Sequence, residues 1–149
     1  MIKTDKKYNA VLWGGVVLLI VDLIIKLIPD FKLEIIRGLF ILQNVKNVEG
    51  SFSLFNLRTS LMLSVVSLTL IIWNTSKSAD KKEKIGYYLI LGGGIENFIE
   101  RIIFKTTTDF IVLKNIGYAN LSDLVIFVGL LFIVIAFLCP TTQKVNKSA

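Results

Sequence analysis

The residues able to carry chemistry are acids, amides and a few bases, most of them in apolar surroundings. Asp22 and Lys26 stand four apart within a hydrophobic run, so on a helix they share a face. Asn97 and Arg101 form a second such pair, and Glu96 and Glu100 a third with like charges, directly after Gly92, Gly93 and Gly94. Asp109, Asn120 and Asp123 follow, and Asn47 and Gly50 lie in the run Asn-Val-Glu-Gly-Ser-Phe. The chain has no histidine, which excludes Ser-His-Asp and Cys-His nucleophilic sites and histidine-ligated zinc or haem. Its one cysteine, Cys139, excludes an intramolecular disulfide and any CxxC motif. Carboxylate chemistry remains. Two aspartates held close in a low-dielectric place share a proton, so that one can activate water as a base while the other protonates a leaving amine. That chemistry requires no metal and no organic cofactor.

Each residue also has a plainer reading. Asp22 and Lys26 can form an intrahelical ion pair, with the lysine snorkelling to the surface. Asn47 and Gly50 are turn formers. Asp123 can be a helix N-cap or a first-turn acid, Asp109 can be a solvated loop acid, and the residues from Glu96 to Arg101 can belong to an interhelical polar network. Glu96 and Glu100 cannot comfortably both ionise in a dry site without a cation, and Arg101 is the nearest candidate for one. The three glycines favour close helix approach.

The elements that must position these groups are apolar. Of the 149 residues 54% are hydrophobic and 19% charged, and the mean hydropathy is +0.69, which points to a membrane protein. Four stretches, about 8–28, 57–73, 85–104 and 121–139, each come close to the roughly 20 residues a helix needs to cross the hydrocarbon core. The expected fold is an all-α membrane protein of one domain, residues 1–149, with four transmembrane helices. Lys3, Lys6 and Lys7 before the first stretch resemble a signal peptide, but no small-residue cleavage site follows, so this stretch is expected to be a retained helix. Two outer segments, about 29–56 and 105–120, complete the chain. The first alternates apolar and polar residues in places and is expected to form short strands or an interfacial layer. The second has an extended look over 106–113, with a turn at Asn115 and Gly117.

Lys and Arg crowd the N-terminal tail, the short loop 74–84 and the C-terminal tail, so the positive-inside rule puts both termini and that loop in the cytoplasm. The net charge of +6 is then mostly anchoring, and no basic soluble face with stacking aromatics suggests nucleic-acid binding. On this topology the polar residues from five segments all lie near the outer membrane surface. An ionisable group in a membrane helix costs about 2.5–3.5 kcal/mol on insertion scales, so such a cluster is a functional candidate.

With those residues in place, the sequence resembles the lipoprotein signal peptidase, or signal peptidase II, family over about residues 10 to 138. The family's Asp-x-x-x-Lys matches Asp22 and Lys26, and its Asn-x-Gly-x-x-Phe block corresponds to Asn47 to Phe52 with one fewer residue between Gly50 and Phe52. Gly-Gly-x-x-Gly-Asn-x-x-Asp-Arg matches Gly92, Gly93, Asn97 and Arg101; Val-Asp-Phe matches Asp109 and Phe110; Phe-Asn-x-Ala-Asp matches Asn120 and Asp123. The departures are Glu96 for glycine, Glu100 for aspartate, Leu23 and Ile25 for polar neighbours of Asp22, Ala119 and Ser122 for Phe and Ala, and a shorter loop between the last two aspartates.

The resemblance implies a four-helix aspartyl endopeptidase of the bacterial cytoplasmic membrane, active near the outer leaflet. It would cut the signal peptide from diacylglyceryl-modified prolipoproteins. Asp109 and Asp123 become the expected catalytic dyad. Asp22, Lys26, Asn47, Gly50, Asn97, Glu100, Arg101 and Asn120 become the expected supporting or substrate-binding residues, with Asp22 bracing the outer segment. The expected partners are the prolipoprotein and membrane lipids, with no cofactor and no nucleic acid, and the chain is expected to be a monomer. The rival readings are a catalytically altered paralogue that binds prolipoprotein, a small non-enzymatic transporter and a holin-like pore. A transporter should place its polar groups near mid-membrane, whereas these crowd one surface. The ordered motifs count against a pore.

Overall fold

The computed structural model describes residues 6–28, 31–37, 39–47 and 56–140. Four helices alternate with paired strands: α1 (Lys6–Leu27), β1 (Lys32–Ile36), β2 (Phe40–Asn47), α2 (Leu57–Lys77), α3 (Lys81–Phe104), β3 (Thr107–Leu113), β4 (Gly117–Ala119) and α4 (Leu121–Leu138). Both outer segments contribute two strands, and together they make one antiparallel sheet in the order β1-β2-β3-β4. The first outer segment therefore forms strands over its described part. In the second, Asn115 (φ 64°) and Gly117 (φ 151°) take the turn conformations expected of them.

The burial pattern is inverted relative to a soluble protein. Large apolar side chains such as Trp13 (69% exposed) and Phe127 (58%) face outward, whereas Asp22, Asn120 and Ser122 are fully buried. Lipid is the solvent that makes this arrangement favourable, because apolar surface costs nothing there while polar groups need internal partners. Three helical stretches, Asn9–Leu27, Leu57–Lys77 and Leu121–Leu138, are long and apolar enough to cross a membrane. With 24 residues α3 is long enough as well, at about 36 Å for 1.5 Å per residue. It falls outside that set because of its charged residues, Lys81 to Lys84 at one end and Glu96, Glu100 and Arg101 toward the other, and it is the central helix, packed against α1, α2 and α4. Its polar residues Asn97 and Glu100 are buried inside the bundle.

Helix ends differ from the apolar stretches. The connection expected over 74–84 shrinks to 78–80, since α2 runs on to Lys77 and α3 starts at Lys81. Hydropathy finds the apolar span, whereas the helix ends where a cap stops it. Here Asp80 accepts hydrogen bonds from Lys82 N (2.7 Å) and Glu83 N (3.3 Å). Asn56 caps α2 by accepting from Thr59 N at 3.0 Å.

Glycine sets the closeness of α3 and α4. A Cβ on Gly86 would lie 2.6 Å from Gly129 O, one on Gly129 would lie 2.7 Å from Gly86 O, and one on Gly93 would lie 2.6 Å from Ser122 O. The backbones approach as they do in small-residue membrane interfaces, and Ile85, Leu89 and Val125 close a small apolar core beside them. Gly129→Val should therefore force the helices apart and cost about 1–3 kcal/mol, read as a lowered Tm of the protein in detergent micelles. Gly14→Ala, with nothing within 4 Å of the added carbon, should leave the Tm unchanged.

Candidate active site

The start of α4 is built for hydrogen bonding. Asn120 is its N-cap: the amide oxygen of Asn120 accepts from Asp123 N (2.9 Å), and Asp123 Oδ2 accepts from Asn120 N (3.3 Å), a reciprocal capping box. Asp123 thus acts as the first-turn acid that its position suggested, yet its other oxygen stays available. Asp123 Oδ1 accepts from Asn97 Nδ2 on α3 at 2.9 Å.

Asp109 comes from the middle of β3, which pairs with β2 so that Thr107 stands opposite Asn47. That register lets Asn47 Nδ2 donate to Asp109 Oδ2 at 3.0 Å. Asn120 Nδ2 donates to Asp109 Oδ1 (2.9 Å) and also reaches Asn97 Oδ1 (3.2 Å). Asn120 is therefore the bridge: its side chain binds the carboxylate of Asp109 and the backbone of Asp123. Asp109 is buried rather than a solvated loop acid. Burial pushes its carboxyl above the usual aspartate range, opposed by the Asn47 and Asn120 hydrogen bonds and by the charges of Lys26 and Arg101.

Both aspartates open on one cavity of about 390 Å³. Asn47 and Arg101 share its polar end, and Leu113, Ile116, Ile126, Phe127 and Leu130 form an apolar wall. A second cavity of about 280 Å³ between α2 and α3 meets the same Asn97, Arg101 and Asp123.

Behind the aspartates lies a charged cluster. Lys26 Nζ contacts Asp22 Oδ2 (2.7 Å), Glu96 Oε1 (2.9 Å) and Glu100 Oε2 (2.9 Å), and its side chain is 6% exposed. The intrahelical pair of Asp22 and Lys26 exists, but the lysine does not snorkel, because three carboxylates surround it. Nor does Arg101 pair with the glutamates. Lys26 supplies that cation, and Arg101 Nη1 donates to Asn97 O at 3.4 Å. Among the described residues Asp22 braces the first turn of α4, accepting from Leu121 N (2.7 Å) and Ser122 Oγ (3.0 Å), and not the outer segment it was expected to brace. Glu100 Oε1 accepts from Thr108 N at 2.8 Å.

Of the residues singled out in the sequence, Asp22, Lys26, Asn47, Asn97, Glu100, Arg101, Asp109, Asn120 and Asp123 all come to this end of the bundle. Gly50 lies outside the described residues. Sequence reasoning missed Ser122, which hydrogen-bonds Asp22 and Glu96, and Lys46, whose Nζ donates to Thr108 Oγ1 at 2.8 Å. The signal for Ser122 was its place beside Asp123. Nothing local marked Lys46.

A family model described as Signal peptidase (SPase) II matches residues 15–139. The lipoprotein signal peptidase of Caldicellulosiruptor bescii is 30% identical over 110 residues, covering 72% of this chain and 73% of that protein. That of Clostridium novyi is 28% identical over 116 residues, covering 72% and 78%, and that of Trichormus variabilis 29% over 122 residues, covering 78% and 77%. A solved bacterial membrane enzyme, determined by the in meso method at 2.3 Å, shares the fold with a TM-score of 0.74 at 19% identity, covering 95% of this chain and 94% of that one.

Removing the cation from the charged cluster tests its structural weight. Lys26→Met leaves the carboxyl groups of Asp22, Glu96 and Glu100 together without their ammonium partner, and breaking a buried pair from one side costs about 3–5 kcal/mol. The expected outcome is a sharply lowered Tm in detergent micelles. A Tm equal to wild type would show that the cluster does not depend on Lys26.

Proposed function

Because this chain belongs to the signal peptidase II family, we propose that it is an aspartyl endopeptidase that removes signal peptides from lipid-modified bacterial prolipoproteins, with Asp109 and Asp123 as its catalytic pair. The observation that carries this reading is the single amide, Asn120, that ties Asp109 to Asp123 while both carboxyl groups open on one cavity.

The mechanism follows from those positions. A water between the two aspartates loses a proton to the ionised one, and its oxygen attacks the scissile carbonyl carbon. The protonated partner donates to the carbonyl oxygen, giving a gem-diol. On collapse one gem-diol hydroxyl returns its proton to the pair as the C–N bond breaks, the leaving nitrogen takes a proton from the pair, and the two acids again share one proton. The hydrogen bonds from Asn47, Asn97 and Asn120 orient both carboxyl groups, which removes the reorganisation that free side chains would require. Arg101 at the cavity's edge is placed to hold the peptide backbone. Gly50 is assigned to the same supporting set on the motif alone.

The setting fits a lipid-bearing substrate. Multiple apolar helices and bacterial relatives put the protein in the inner membrane as a multi-pass chain. In this reading α3 is the fourth span, both termini are cytoplasmic and the site opens at the outer leaflet. The cavity has an apolar wall of Leu113, Ile126, Phe127 and Leu130; in this reading it faces the bilayer, so the extended peptide can enter while its acyl chains stay in lipid. In this reading the chain acts as a monomer.

Asp109→Asn and Asp123→Asn, expressed separately with a lipidated prolipoprotein and followed by gel shift, should each lose at least about 100-fold in cleavage rate. Full cleavage by either variant would remove that residue from the pair. Binding of uncleaved prolipoprotein by the wild type would instead favour a non-cutting paralogue.

The direction of the Asp109 shift gives a pH dependence. Burial makes this carboxyl hold its proton to higher pH than an ordinary aspartate near about 3.9. A peptidase that needs one ionised member of the pair loses kcat/KM as pH falls through that raised value, so the acidic limb should lie above the ordinary aspartate range. Asn47 donates to the ionised form, so Asn47→Ala should move the limb further up. An unmoved or lowered limb would contradict the assignment.

A further inference from the structure

Two glutamates on one face of α3 reach in parallel for the residues that immediately precede the two aspartates. Glu100 Oε1 accepts from Thr108 N at 2.8 Å, next to Asp109. Glu96 Oε2 meets Ser122 Oγ, next to Asp123. Both glutamates close on Lys26 Nζ, each at 2.9 Å. The second of these links has no chemical role of its own at the cavity, whose lining includes Asp109 and Asp123 but neither Glu96 nor Ser122.

Glu96 and Ser122 are also the two positions at which the sequence departs from the motif's glycine and alanine, and in the folded chain they touch each other. A glycine at 96 could not reach α4, and an alanine at 122 would give it nothing to hold. The same serine hydroxyl reaches Asp22 Oδ2 at 3.0 Å. Ser122 Oγ thus lies against α1 and α3 at once, one residue before Asp123, with its single hydroxyl proton shared between the two carboxyl groups.

We propose that Glu96 is a positioning residue for Asp123, acting through Ser122 and clamped in place by Lys26. The inference rests on the peptidase reading above. Its physical content is placement: the height and rotation of α4's first turn decide where the Asp123 carboxyl meets Asp109, and a displacement of about 1 Å in a catalytic group can cost on the order of 100-fold in rate. A link of this kind acts on turnover and leaves substrate affinity largely alone.

The experiment uses the full chain in detergent micelles with a lipidated prolipoprotein, measuring kcat, KM and Tm for Ser122→Ala, Glu96→Ala, their double variant and Glu96→Gln. Each alanine variant should lower kcat by about 10-fold with KM within about twofold. The double variant should be no worse than the poorer single, because both changes remove one link. Glu96→Gln keeps an acceptor for the serine and should recover part of the loss. Glu83→Gln is the control: it sits about 20 Å along α3 from Glu96 at 1.5 Å per residue, where it contacts Ser78 (2.5 Å) and Tyr87 (2.7 Å), and it should leave kcat unchanged.

Wild-type kcat in Ser122→Ala, losses that multiply in the double variant, or an effect confined to KM would each overturn the proposal. Should Glu96→Ala fail to fold, Ser122→Ala and Glu96→Gln decide it, since neither removes the ammonium partner nor opens a large void. Asp109→Asn separates the two levels. If it still cleaves, the assignment of Asp109 and Asp123 as the catalytic pair and this proposal fall together. If it is inactive while Ser122→Ala cleaves like wild type, only the positioning role of Glu96 is lost.

Discussion

Charge inside an apolar bundle must find its partners within the protein, and Lys26 is where this chain gathers them. Its ammonium draws Asp22 of its own helix and Glu96 and Glu100 of α3 to one point. Each of those carboxylates then spends its second oxygen on something else: the start of α4 for Asp22, the Ser122 hydroxyl for Glu96, the Thr108 amide for Glu100. An ion cluster of this kind is weak support for stability when compared with apolar packing. Its value lies in direction, because it ties one helix, one strand and one helix start to a common origin.

The remaining architecture serves that convergence. Glycine contacts bring α3 and α4 close enough for Asn97 to reach Asp123. The sheet brings the two outer segments together, so that a residue from the first, Asn47, holds an acid from the second. Removing either device would separate groups that come from chain segments tens of residues apart.

Much of the site could be read before the fold was known, and the reason is local geometry. The spacing of Asp22 and Lys26 gave their shared face, Asn120 and Asp123 sat at cap spacing, and Asn115 and Gly117 marked the hairpin turn. What stayed hidden depended on contacts between distant residues. Lys26 and Glu96 are 70 positions apart, and no periodicity in either neighbourhood names the other, so the nearer Arg101 looked like the better partner. The α2–α3 connection was misjudged for a different reason: polar residues such as Asn74, Thr75 and Lys77 end an apolar span without ending a helix. Gly86 and Gly129 escaped notice because a single glycine in each helix acquires meaning only when the other is opposite.

The capping box at the start of α4 has a consequence for how sequences of this kind diverge. Asp123 holds up the first turn of its helix as well as facing the cavity, so a lineage that gave up catalysis would still be under selection to keep it for folding. Asp109 has a lighter second duty: its carboxyl accepts from the Asn47 and Asn120 side chains, while the backbone pairing of its strand does not need it. Drift after loss of activity would therefore erase the acid at 109 first. If Asp109 and Asp123 are the catalytic pair proposed above, the residue that best distinguishes a working copy from a decayed one is Asp109.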